Sequence, residues 1–108
     1  MNENLYKNLY NLLISSDKKN VDLLYSILKN NHKIKILFLK RVFKNHDKFN
    51  EIDFDNITSI HKYLNIKERV EPMTCICEYL FQIKTNENRY EIQLSNISSI
   101  DIAQTLIL

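Results

Sequence analysis

The sequence predicts one α+β domain spanning residues 1–108, with about four helices in its N-terminal two-thirds, then a β-hairpin and a short terminal helix. Three observations carry that prediction. Apolar residues recur every three or four positions from Leu5 to Phe43, the period of amphipathic helices. Two runs that alternate apolar and polar residues flank the break Thr85-Asn86-Glu87-Asn88, the pattern of two strands joined by a turn. A chain of 108 residues with 44% hydrophobic content holds apolar surface for one core of modest extent.

Composition narrows the field further. Glycine is absent and proline occurs once, so a turn that needs φ > 0 is expected to draw on Asp or on the 14 asparagines. Those asparagines, the 15 isoleucines and the 12 lysines against three arginines predict coding by AT-rich DNA, as in AT-rich bacteria, their phages, large DNA viruses and some protists. Cys75 and Cys77 stand two residues apart on one side of any strand, poorly placed for a mutual disulfide, and a reduced, intracellular setting is expected. Residues 1–20 carry Glu3 and Asp17 and no apolar run longer than Leu12-Leu13-Ile14, so neither a signal peptide nor a membrane span is expected. On that basis the glycosylation sequons at Asn56 and Asn96 are read as chance matches.

The first helix is expected over residues 3–15, with Leu5, Leu9, Leu12 and Leu13 on one face and Tyr6 and Tyr10 at its edge. Ser16 or Asp17 can cap a second, over residues 18–30, whose stripe is Val21, Leu24 and Leu28, widened by Leu23 and Ile27. The short break makes the two antiparallel neighbours. Asn30 or Asn31 then stands where a left-handed glycine would close the helix. The third helix, over 33–46, has an apolar arc of roughly 200° holding Ile34, Ile36, Phe38, Leu39, Val42 and Phe43, so it is expected to be central. Lys33, Lys40, Arg41, Lys44 and then Lys48 crowd the remaining arc around Leu37. Residues 29–48 carry a net charge of +6, leaving −4 for the rest of a chain whose total is +2.

An acidic connection follows, in which Phe49, Ile52 and Phe54 are expected to dip to the core while Glu51, Asp53 and Asp55 stay wet. Asp55 or Asn56 can cap a fourth helix over 57–64, with Ile57, Ile60 and Leu64 at i, i+3 and i+7. Residues 66–78 fit a helix through Val70, Met73 and Cys77 or, alternating through Met73, Cys75, Cys77 and Tyr79, a strand leading into the hairpin; after Thr74 the balance favours strand. In the hairpin, Ile83 faces Tyr90, Phe81 faces Ile92 and Tyr79 faces Leu94 on the apolar side, while Gln82 meets Glu91 and Lys84 meets Arg89 on the wet side, with Leu80 the exception. Ser98-Ser99-Ile100-Asp101 has the spacing of a helix start, and a short terminal helix or a third strand completes the chain.

The segment ITSIHKYLNIKERV, followed by a candidate helix and the hairpin, resembles the first helix and turn of the winged helix-turn-helix family over residues 33–95. The resemblance implies that the basic third helix plays the family's first helix, that ERVEPMTCICEY enters the DNA major groove and that the hairpin is the wing. His61 stands where the family has a small residue. On this reading the nucleic-acid-binding residues are Lys33, Lys40, Arg41, Lys44, Lys48, Lys67 and Arg69.

No enzymatic chemistry is expected. A glycine-rich phosphate cradle needs glycine, and nothing sets a substrate pocket around the alternating Glu51, Asp53 and Asp55. His32, His46 and His61 lie in three segments without ligand spacing, and Cys75 and Cys77 lack the second pair of a zinc site, so no metal and no cofactor is expected. Two functions are left: a small non-enzymatic nucleic-acid-binding module, or a protein-interaction module such as an adaptor or a viral or phage inhibitor. The second would use tyrosines such as Tyr6, Tyr10 and Tyr25 as anchors, or pair the open hairpin edge in a homodimer.

Overall fold

A computed structural model describes residues 1–68 and 75–97, with 66–68 and 75–77 described as backbone only. Three helices, α1 (Glu3–Ile14), α2 (Lys18–Asn30) and α3 (His32–Val42), precede three strands, β1 (Ser59–Glu68), β2 (Cys75–Lys84) and β3 (Arg89–Gln93). The strands form one antiparallel sheet in the order β1-β2-β3, and the helices cover one of its faces. The α+β class expected from the sequence is the one observed. Among the described residues there are three α-helices, not four.

Each helix starts where a short polar side chain replaces the missing intrahelical acceptor. The Asn2 carboxamide accepts the Leu5 N–H at 2.7 Å, the Asp17 carboxylate accepts that of Lys19 at 2.9 Å, and the Asn31 carboxamide accepts that of Ile34 at 3.2 Å. Asn31 therefore opens α3 in extended geometry, φ −138°, and does not take the left-handed position expected of it after α2. No described residue has positive φ. The β2–β3 turn likewise closes without one: the Thr85 N–H donates to the Asn88 carbonyl at 2.8 Å, and the Asn88 N–H donates back to the Thr85 hydroxyl at 3.1 Å. Side-chain oxygens bonded to the backbone do the work that glycine does elsewhere.

The buried stripe of α1 is Tyr6, Leu9 and Leu13, rotated so that Tyr6 is central while Leu5 and Leu12 are half-buried. The Tyr6 ring packs tilted against Phe38 of α3, with ring centroids 5.7 Å apart. The stripe of α2 is Val21, Leu24 and Leu28 as expected, but Leu23 is 50% exposed and does not widen it. α3 is the central helix: Phe38, Leu39, Val42 and the following Phe43 are buried against the sheet, and it ends at Val42, short of the expected 46. Ile52 and Phe54 return to the core and Phe49 packs half-buried on it, while Glu51, Asp53 and Asp55 are exposed. Burial of each large side chain in this cluster contributes about 1.5–3 kcal/mol, so the Phe38, Phe43 and Phe81 contacts set the order of the layers.

The fourth helix expected over 57–64 is not there. The chain is extended from Ser59 and pairs with β2 from Ser59↔Lys84 to Glu68↔Cys75. Read as a strand, Ile60, Lys62 and Leu64 share the helix-facing side, and the inward lysine breaks the apolar alternation that would have announced it. Lys62 is tolerated there because its ammonium donates to the Leu13 carbonyl at 2.7 Å and to the Ser15 carbonyl at 2.8 Å, satisfying the open C-terminal end of α1. The helix and turn that carry the winged helix-turn-helix likeness are thus extended backbone from 59 to 68, and the second helix of that likeness lies partly outside the described residues. β2 is strand from Cys75, as the balance after Thr74 favoured.

The hairpin register is the expected one at Phe81↔Ile92, Gln82↔Glu91, Ile83↔Tyr90 and Lys84↔Arg89. It stops at Leu80↔Gln93, because Leu94 enters a short 3-10 turn, so the expected Tyr79–Leu94 pair does not form. On the outer face the Tyr63 hydroxyl reaches across β2 and donates to Glu91 Oε1 at 2.8 Å, where Gln82 Nε2 also donates at 2.6 Å. Leu80 and Gln82 are only 9% and 8% exposed beside that bridge, on a face that no described helix covers. The expected terminal helix falls on residues 98–108, outside the described residues.

Candidate interaction edge

The sheet has two edges, and they are finished differently. On β3, His46 Nε2 lies 3.0 Å from the Glu91 carbonyl while its Nδ1 accepts the Lys48 N–H at 3.0 Å. This pair of bonds requires the neutral Nε2–H tautomer, with the imidazole donating to the strand's outward carbonyl. The ring also meets Tyr90 edge-on at 6.3 Å, so this edge is closed by a packed side chain.

On β1 the Lys62 N–H points away from β2 and donates to the Tyr25 hydroxyl of α2 at 2.7 Å. Backbone groups of an antiparallel strand alternate between partner and open edge, so the N–H and C=O of Leu64, Ile66 and Glu68 face the same outer side as those of Lys62. α1 stops over Lys62, and β3 pairs only with Leu80–Lys84. The β1–β2 ribbon therefore runs on past both the helical layer and the third strand. Its first helix-side pair beyond that limit, Leu64 opposite Tyr79, is 42% and 46% exposed.

A groove of about 410 Å³ lies between the first turns of α2 and this stretch of β1. Val21, Tyr25, Leu64 and Tyr79 supply its apolar wall, and Lys18, Asp22 and Lys62 its charges. The Lys62 ammonium sits 4.8 Å over the Tyr79 ring, and burial holds it below the ordinary lysine range. Burial also raises the Tyr25 phenol, aided by the nearby Asp22 charge and opposed by the hydrogen bond from the Lys62 N–H. No described carboxylate lies within ion-pair distance of Lys62.

The described residues among those expected to contact nucleic acid lie on α3, on the connection after it and on β1. Lys33, Lys40 and Lys44 are exposed along one stripe of α3 and its C-terminal turn, with Leu37 between them, and Lys48 is exposed in the connection that follows. Arg41 is half-buried: its guanidinium lies 2.7 Å from the Glu3 carboxylate and 3.8 Å over the Tyr6 ring, so it ties α3 to α1. Lys67 is on β1, a separate element, and Arg69 is outside the described residues. Sequence reasoning missed Lys62, Leu64 and Tyr79 as a group. A strand reading of 57–66 would have found the first two, since Ile60, Lys62 and Leu64 then share a face.

No family model, curated protein or solved structure matches this chain. The functional argument therefore rests on its own residues. Among the described residues no cluster of His, Cys, Asp or Glu has the arrangement of a metal site, and no helix is long and apolar enough to cross a membrane.

Proposed function

We propose that this chain is a small protein-interaction module that engages its partner along the open edge of β1 and the groove beside it. The observation that supports this reading is the ribbon's overhang: beyond Lys62 no described strand pairs with its outer edge, and no described helix covers Leu64 and Tyr79. Exposed strand edges are templates for pairing, and adjoining pockets supply specificity through alternate side chains. The β3 edge, closed by His46, lacks both features.

The test is capture of partners from nuclease-treated extract by the wild-type chain, by Leu64→Glu with Tyr79→Glu, and by Lys33→Glu with Lys40→Glu and Lys44→Glu. Partners lost with the first variant and kept with the second support the reading; partners kept with both sink it. Light scattering across a concentration series separates a homodimer from a hetero-complex.

A second reading, nucleic-acid contact, is favoured by one observation, the exposed Lys33, Lys40 and Lys44 stripe, which has no carboxylate in ion-pair range among the described residues. Phosphate contacts would give duplex affinity that falls steeply with salt and disappears when the three lysines are replaced by Glu. Absence of binding at low salt removes this reading.

A further inference from the structure

We propose that the occupant of the β1 groove is an extended peptide segment that adds to β1 as a further strand, sets an apolar side chain against Val21 and Tyr79, and places a carboxylate at Lys62 and Lys18. This rests on the reading of the β1 edge as the interaction surface and names the chemistry that the edge selects.

Lys62 Nζ has three N–H donors and gives two to neutral backbone carbonyls, of Leu13 and Ser15, which leaves its positive charge without a counter-ion among the described residues, in a wall that is otherwise largely apolar. Lys18 stands in the first turn of the 13-residue α2 and lines the same groove, so the helix's positive end adds to the two ammonium groups. Asp22 is the one carboxylate among the described lining residues; it lies a turn further along α2, at the i+4 position from Lys18, and a single charge cannot neutralise both cations. The Tyr25 hydroxyl already takes the Lys62 N–H, so strand addition starts at Leu64, whose N–H and C=O are the next to face outward and meet no partner among the described residues. A peptide paired from there runs its side chains alternately into the groove and away from it. One inward side chain meets Val21 and Tyr79, and the next inward side chain, two residues along, meets the ammonium groups.

The probes are short fluorescent peptides, capped at both ends, whose inward face carries Val and, two residues on, Glu, Gln or Lys, with Thr at the positions between, together with a Glu version carrying proline at the pairing positions. Anisotropy titrations should rank Glu about tenfold tighter than Gln, with the Lys peptide weakest. The proline version should lose binding because it has no N–H to donate. Lys18→Glu should erase the preference for Glu over Gln; this variant is safe for folding, because an acidic side chain suits the first turn of a helix. Lys62→Met, which keeps the aliphatic stem, should do the same where it folds. Equal affinity for the Glu and Gln peptides, or preference for Lys, overturns the carboxylate while leaving the groove as an interaction surface. Undiminished binding of the proline version overturns strand addition. Failure of every peptide overturns this inference, whereas the interaction reading itself falls only if captured partners survive the Leu64 and Tyr79 substitutions.

Discussion

The two edges of the sheet are built from similar material and end in opposite states. Each has one outward backbone group met by an aromatic or imidazole side chain from the helical side: the Tyr25 hydroxyl takes the Lys62 N–H on β1, and the His46 imidazole gives to the Glu91 carbonyl on β3. β3 is only five residues long, and His46 meets the carbonyl of its middle residue. β1 is ten residues long and Tyr25 meets it near its start, at Lys62, with no described strand paired to the outer edge of its second half. The lesson is that edge closure depends on where the cap falls along the strand as much as on its presence. The β2 strand between them is the fixed reference, since its inner residues Phe81 and Ile83 are fully buried.

The comparison is broken most completely by removing that reference. Phe81→Ala deletes a fully buried ring that packs 6.1 Å from Phe43 on the strand both edges share. A loss of about 3–5 kcal/mol is expected in urea unfolding, and amide exchange should rise on β1 and β3 together. Exchange that rises on one edge alone would mean that the edges are not coupled through β2.

Much of this architecture is written plainly in the chain. The α2 stripe Val21, Leu24 and Leu28, the return of Ile52 and Phe54, and the Phe81 and Ile83 register all follow from the period of apolar residues, because each of those side chains is simply buried. What could not be read is where a polar residue sits on an inner face. Lys62 faces the helices only because α1 happens to end above it with two carbonyls free, and that is a fact about a distant segment. Without that fact Ile57, Ile60 and Leu64 read as a helical stripe, and β1 is absent from the prediction. Leu80 failed for a related reason: its cover is Tyr63 reaching to Glu91, a tertiary bridge that the alternation of β2 does not contain. The basic arc of α3 was legible as a charge pattern, but the engagement of Arg41 with Glu3 and Tyr6 was not.

His46→Ala opens the β3 edge. It removes the bond to the Glu91 carbonyl, the acceptor for the Lys48 N–H and the contact with Tyr90. A cost of about 1–3 kcal/mol is expected, with faster exchange confined to β3 and residues 45–48. If β1 is naturally open and β3 naturally closed, this variant should also gain a tendency to self-associate that the wild-type β3 edge lacks. Light scattering that finds no change in association, beside a measured loss of stability, would assign His46 a packing role alone.

Tyr25→Phe removes the cap on β1 and should cost about 0.5–1.5 kcal/mol, less than the His46 change because it breaks a single bond beside an edge already open to water. A pH series adds a sign. The Tyr25 phenol is raised by burial, and that of Tyr63 chiefly by its bond to Glu91, so the folded state holds both protons more tightly than the unfolded chain. Their contribution to stability is present below the ordinary tyrosine value near about 10 and is lost as pH rises through the folded values. Near-ultraviolet absorbance should show a fraction ionising above the ordinary tyrosine range, of which Tyr25→Phe and Tyr63→Phe should each remove a part. A late fraction unchanged in Tyr63→Phe would contradict the bond to Glu91, and one unchanged in Tyr25→Phe would contradict the burial of that phenol.

The smallest effect on stability is expected where the functional reading is strongest. Leu64→Thr with Tyr79→Thr keeps two β-compatible residues at a cross-strand pair that no helix covers, so the urea midpoint should shift by no more than about 0.5 kcal/mol equivalent, with an unchanged slope. Partner capture should nevertheless fall sharply, because the same two side chains form the apolar wall that an added strand would meet. A stability loss above about 1 kcal/mol would instead place Leu64 and Tyr79 in the core's account, with the groove a by-product of packing. The two edges would then differ only in length, and the open half of β1 would carry no claim to a partner.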